Sequence, residues 1–219
     1  HVFPPLEQAL KEPNGLLVAG GDLSPQRILA AYRAGIFPWF MPGEPILWWS
    51  PSPRMVLYVD EFQVPKSLAT VVRHRQYQVT FDTAFEQVMQ GCAAPRGTEA
   101  GTWISEEMLA AYTALHEAGF AHSFECWMEG ELVGGLYGMA LGKMFYGESM
   151  FARRSDASKI AFVHAVQWLR ENGFAMIDCQ MYTDHLARFG AREIEREEFI
   201  AKLAVLLDEP EQLGPWQYC

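Results

Sequence analysis

Residues 121–150 read as three β runs, 122–128, 132–141 and 143–150, separated only by residues 129–131, with the turn Glu129-Gly130, and by Gly142. Glycine-bearing breaks this short join neighbouring strands as hairpins, so the stretch predicts an antiparallel meander. Helices are expected around it. Ser24 caps and Pro25 opens a helix over 25–33 that Gly35 ends, because serine accepts from free amides and proline's fixed φ suits the first turn. Ser105 caps another. Glu106 and Glu107 complement the dipole in its first turn, Met108, Leu109, Tyr112 and Leu115 form an apolar stripe, and Gly119 stops it. Further helices are expected over 66–72, 83–90, 157–172, 184–189 and 196–207, and strands over 55–59, 77–81 and 175–180. The fold class is α+β, with no internal repeat.

Pro38, Pro42, Pro45, Pro51 and Pro53 crowd one segment. Each removes a backbone donor and fixes φ, so the segment predicts a loop, carrying Trp39, Trp48 and Trp49, and a domain boundary near Arg54. A small N-terminal α+β domain over 1–54 and a larger one over 55–219 are expected.

Half of the 219 residues are hydrophobic and 20% are charged, which excludes a disordered chain. No apolar run reaches the roughly 18 residues that a spanning helix needs. Residues 1–5 carry neither the basic nor the apolar region of a signal peptide, so a cytosolic protein is expected. Cys92, Cys126, Cys179 and Cys219 form no CxxC pair and are expected as free thiols. The net charge of -10 argues against a general polyanion binder, but Lys66, Arg73, His74 and Arg75 lie in a stretch with no acid inside it. That stretch is either a solvated helix face or an RNA contact.

Polar residues stand out in two β segments. Alternation along the strand 175–180 places Asp178 and Gln180 on one face and Ile177, Cys179 and Met181 on the other. A buried acid and amide there either satisfy a structural hydrogen bond or serve a site. Glu148 follows the apolar Met144-Phe145-Tyr146 and either pairs with Arg153 or Arg154 at the surface or serves the same purpose. The chain has no GxSxG elbow, no HExxH and no Walker sequence, and Cys179 and His185 lack an orienting third group.

The ordered series Glu12-Pro13-Asn14-Gly15-Leu16-Leu17, Gly20-Gly21-Asp22-Leu23-Ser24, Gly35-Ile36-Phe37-Pro38-Trp39-Phe40 and Ile46-Leu47-Trp48-Trp49-Ser50-Pro51 resembles the leucyl/phenylalanyl-tRNA-protein transferase family. So do Gly101-Thr102-Trp103-Ile104, Gly147-Glu148-Ser149-Met150-Phe151, Ala157-Ser158-Lys159, Ile177-Asp178-Cys179-Gln180, His185-Leu186 and Gly190-Ala191. The resemblance runs over almost the whole chain. It implies a GNAT-like acyltransferase domain after the small N-terminal one. It implies transfer of leucine or phenylalanine, and less readily methionine, from aminoacyl-tRNA to proteins beginning with arginine or lysine, marking them for degradation. The implied site residues are Asp178, Gln180 and Glu148 for catalysis, and Trp39, Trp103 and Tyr112 around the aminoacyl end of the tRNA. Leu136, Phe145, Phe162 and Ile177 are implied for the donor's side chain, and Lys66, Arg73 and Arg75 for tRNA. The family's tRNA-binding helix is richer in basic residues than 66–75, where Ala69, Thr70 and Val72 stand.

A tRNA ester is an activated acyl donor, so such a reaction needs no covalent nucleophile, metal or cofactor, only placement and charge stabilisation. On this reading Gln180, held by Asp178, orients the attacking amine, Glu148 attracts the cationic acceptor, and a monomer suffices. An acetyl-CoA enzyme would want a glycine-rich pyrophosphate loop, whereas Phe-Ala-Arg-Arg-Ser-Asp-Ala-Ser-Lys follows Met150. A non-catalytic module using its tryptophans as stacking platforms is the other alternative.

Overall fold

The computed structural model describes residues 2–94 and 104–219. Trp103, with most of its motif, lies outside them. In chain order the elements are β1 (Leu16–Ala19), α1 (Pro25–Arg33), β2 (Phe37–Pro38), β3 (Leu47–Trp49), β4 (Arg54–Tyr58), α2 (Lys66–His74), β5 (Gln78–Phe81), α3 (Phe85–Ala93) and α4 (Glu106–Glu117). There follow β6 (Ala121–Met128), β7 (Glu131–Leu141), β8 (Met144–Ala152), α5 (Ala157–Glu171), β9 (Met176–Gln180), α6 (Asp184–Ala187), β10 (Arg192–Ile194) and α7 (Arg196–Leu207).

The capping residues act as expected. Ser24 Oγ accepts from the Arg27 amide and opens α1, and Ser105 Oγ accepts from the Met108 amide and opens α4. The meander is present as β6, β7 and β8, and it forms three strands of a seven-stranded sheet ordered β10-β4-β9-β8-β7-β6-β5. Every neighbouring pair in that sheet is antiparallel except β8 and β9, which run parallel with α5 between them in sequence. One face of the sheet packs on α5 and α2. The other packs on α1, α3, α4 and α7, so each face has its own apolar core. Phe162, Val163 and Val166 fill the first; Ile28, Tyr32, Met108, Phe199 and Leu203 fill the second.

The proline-dense segment departs from expectation. It holds two short strands, β2 and β3, which join β1 in a three-stranded sheet ordered β1-β3-β2. Pro38 sits on β2, an edge strand, where a missing donor breaks no central ladder. The seven-stranded sheet begins at Arg54, which pairs with Ile194 of β10. β10 was also unexpected: Arg192-Glu193-Ile194 is too short and too polar to show a period. Among the described residues no helix is long and apolar enough to cross a membrane.

Candidate active site

The parallel ladder of β8 and β9 pairs Met144 with Met176, Phe145 with Ile177 and Tyr146 with Asp178, and it stops there. Past this point a cavity of about 860 Å³ opens, within the size range of small-molecule sites. Its wall takes Gly147, Glu148 and Ser149 from β8, Ile177, Cys179 and Gln180 from β9, Leu136 from β7 and Phe162 from α5.

Two β-bulges aim the polar side chains. On β8, Tyr137 faces Ser149 and Gly138 faces Gly147, which leaves Glu148 as the extra residue between them. On β9, Val56 faces Asp178 and Met55 faces Gln180, which leaves Cys179 extra. A bulge breaks the two-residue period and turns the chain locally. This corrects the face assignment made from alternation. Gln180 lines the same cavity as Ile177 and Cys179, and Asp178 does not line it. Gln180 has φ +64°, a left-handed conformation that residues with a Cβ seldom adopt.

Asp178 is fully buried and faces Arg54, itself 1% exposed. Arg54 Nε donates to Asp178 Oδ1 at 2.9 Å and Nη2 donates to Oδ2 at 2.6 Å, a two-pronged ion pair. Asp178 Oδ1 also accepts from the backbone amide of Gln180 at 2.8 Å. The expected hold of Asp178 on Gln180 is therefore made through the main chain. The Gln180 side chain reaches the other way, and its Nε2 donates to Glu148 Oε1 at 3.2 Å.

Glu148 meets neither Arg153 nor Arg154 in a salt bridge. Arg154 pairs with Glu129, and Arg153 donates to the Leu132 carbonyl. Instead Tyr32 of α1 donates its hydroxyl proton to Glu148 Oε1, so the 2.6 Å contact between the Tyr32 and Tyr112 hydroxyls has Tyr112 as donor. Burial pushes the Glu148 carboxyl up to about 8, and the charge of Asp178 adds to the shift. The hydrogen bonds from Tyr32 and Gln180 and the charge of Arg54 oppose it. At neutral pH Glu148 is thus mostly protonated. Burial pushes the Cys179 thiol well above its ordinary range, and the charge of Asp178 adds to the shift.

Leu136, Phe145, Phe162 and Ile177 all line the cavity. Trp39 and Tyr112 do not. Trp39 is 40% exposed and packs edge-on against Trp49 at 5.8 Å, and Tyr112 is fully buried and reaches Glu148 only through Tyr32. Lys66, Arg73 and Arg75 are exposed along α2 and its end, and none forms an ion pair with a described carboxylate. Tyr32 and Arg54 went unnoticed in the sequence. Tyr32 lies four residues after Ile28 on the buried stripe of α1, where only its hydroxyl hints at a polar partner.

Comparisons with known proteins bear on the family of the chain. Residues 56–204 match the family model for leucyl/phenylalanyl-tRNA protein transferase, and residues 21–52 match the model of that family's N-terminal domain. A leucyl/phenylalanyl-tRNA–protein transferase of Chromobacterium violaceum is 59% identical over 217 residues, 99% of this chain and 93% of its own. Proteins of the same name from Nitrosomonas europaea and Stutzerimonas stutzeri are 60% and 61% identical, covering 99% and 95% of this chain and 92% of each relative. Among solved structures, the L-PGS of Bacillus licheniformis matches 58% of this chain and 46% of its own at 16% identity, with a TM-score of 0.42, too low to assign a fold. A family model spanning residues 56–204, and relatives near 60% identity over nearly the whole length, place this chain in the leucyl/phenylalanyl-tRNA protein transferase family.

Proposed function

We propose that this enzyme moves leucine or phenylalanine, and methionine less readily, from aminoacyl-tRNA to the N-terminal α-amine of proteins beginning with arginine or lysine. The product marks those proteins for degradation in the cytoplasm, and the catalytic unit is a monomer with a GNAT-like larger domain. The observation that carries the reading is the shared wall of one cavity: an apolar side built from Leu136, Phe145, Phe162 and Ile177, and a polar rim built from Glu148 and Gln180. The apolar side suits the donor's side chain. Methylene-scale differences there are worth about 1–3 kcal/mol, so the pocket ranks apolar amino acids rather than admitting one alone.

The polar rim suits the acceptor. The ester needs no activation, so the rate depends on holding a neutral amine against the ester carbonyl while the terminal adenosine leaves as its 3′-hydroxyl. Gln180 orients that amine. Glu148 ionises on the approach of the acceptor's cation, because an opposite charge nearby favours the charged form. Trp39 and Trp103 belong to the donor's aminoacyl end, Tyr112 acts on the site only through Tyr32 and Glu148, and Lys66, Arg73 and Arg75 belong to the tRNA backbone.

Two outcomes are expected. With charged tRNA fixed, peptides beginning with arginine outrun the same peptide beginning with alanine, and the preference grows as pH rises toward 8 and Glu148 ionises. Glu148→Gln cuts the preference by about 10- to 100-fold and flattens its pH dependence, since hydrogen bonds to charged groups are worth about 1.5–3 kcal/mol. Equal preference in the variant and wild type contradicts this role for Glu148. Separately, reversing Lys66, Arg73 and Arg75 to glutamate weakens tRNA binding and makes the log–log salt dependence shallower by about two to three. An unchanged slope would remove α2 from the tRNA contact.

A further inference from the structure

Arg54 lies outside the cavity lining, yet its guanidinium holds both chain segments that flank Glu148. Nε and Nη2 take Asp178, and Nη1 donates to the Gly35 carbonyl at 3.0 Å. That carbonyl also accepts from Ser50 Oγ at 3.0 Å, and it belongs to the turn that ends α1, three residues after Tyr32. The rings of Phe199 and Phe37, with centroids 4.4 Å and 5.0 Å from the guanidinium carbon, fix its plane. Each nitrogen of this fork thus donates to a segment bearing a Glu148 partner.

We propose that Arg54 is a positioning residue for the transfer reaction: by locking the Asp178 carboxylate it holds the Gln180 amide, and with it the left-handed turn that aims the Gln180 side chain at Glu148. The proposal rests on the role given to Gln180 above. A residue with a Cβ keeps a left-handed backbone only when its surroundings over-determine it. Here the determining contact is the 2.8 Å bond from the Gln180 amide to Asp178 Oδ1, an oxygen that Arg54 Nε also holds at 2.9 Å. Lysine cannot reproduce this. A single ammonium cannot face both carboxylate oxygens and the Gly35 carbonyl in one plane.

The test is a double-mutant cycle in single-turnover transfer, with Arg54→Lys and Gln180→Ala made alone and together. Arg54→Lys keeps a cation opposite Asp178 and removes only the fork. The expected result is a fall of about tenfold or more for Arg54→Lys in the wild-type background, as for other small displacements of a reacting group, and less than about a twofold further fall when it is added to Gln180→Ala. Equal falls in the two backgrounds, or a wild-type rate for Arg54→Lys, overturn the proposal. A wild-type rate for Gln180→Ala overturns the reading of the site itself, and the proposal with it. Where Gln180→Ala leaves too little rate for the second arm, a crystal structure of Arg54→Lys decides: Gln180 Nε2 turned away from Glu148 supports the proposal, and an unchanged contact overturns it. If Arg54→Lys does not fold, Asp178→Asn takes its place in both measurements, since it breaks the ion pair and keeps an oxygen for the Gln180 amide.

Discussion

Single-turnover transfer by Gln180→Ala is expected to fall by about two to three orders of magnitude, the usual cost of removing one preorganised polar group from a reacting centre. Binding of charged tRNA should change little, because the contacts given to tRNA lie on α2 and not on β9. The loss has a geometric cause. The bulge at Cys179 places this one amide in the cavity wall, 3.2 Å from Glu148, and no neighbouring side chain on β9 can take over. Rapid-quench measurement of peptide formation from enzyme-bound donor checks it. A rate within a few-fold of wild type discards the role of Gln180.

The second large effect is on stability. Asp178→Ala leaves the Arg54 guanidinium buried without its partner, and breaking such a pair costs about 3–5 kcal/mol. For a chain of this size that corresponds to a thermal midpoint lower by about 6–20 °C. The same substitution frees the Gln180 amide, so transfer at temperatures where the variant is folded should also be lost. Replacing both partners by apolar residues, Arg54→Met with Asp178→Leu, should restore most of the midpoint without restoring transfer, since no charge is then stranded. Calorimetry on the single and double variants checks both halves. A single variant that melts within about 3 °C of wild type contradicts the buried-pair argument.

The parts of the fold that depend on local chemistry were legible before the structure. α1 and α7 run over the residues expected for them, 25–33 and 196–207; for α1 the serine cap, the proline of the first turn and the glycine stop act within a few residues of one another. The meander was legible for the same reason. β2 and β3 were not. Prolines at 38, 45 and 51 spoke for a loop, and only the strand order shows that Pro38 occupies an edge. The two bulges were likewise invisible, since a bulge is a mismatch between two strands and neither strand alone contains it.

For the site, motif resemblance pointed to Glu148, Asp178 and Gln180, but alternation gave the wrong geometry among them. Alternation assumes an unbroken pleat, and the bulge at Cys179 breaks it between the two residues that mattered. Arg54 pairs with Asp178 across 124 residues, and Tyr32 meets Glu148 across 116. The first comes from the pairing of β4 with β9 inside the large sheet, and the second from packing α1 on one face of that sheet. No local pattern carries them.

The measurement that bears most directly on the central claim is transfer of labelled leucine from charged tRNA by the wild-type protein to two peptides, one beginning with a free arginine and one with N-acetylarginine. Labelled product from the free peptide alone, with the label on its α-amine, is the expected result. No product from either peptide, with folded protein and intact leucyl- and phenylalanyl-tRNA, would contradict the assignment of aminoacyl transfer to this site.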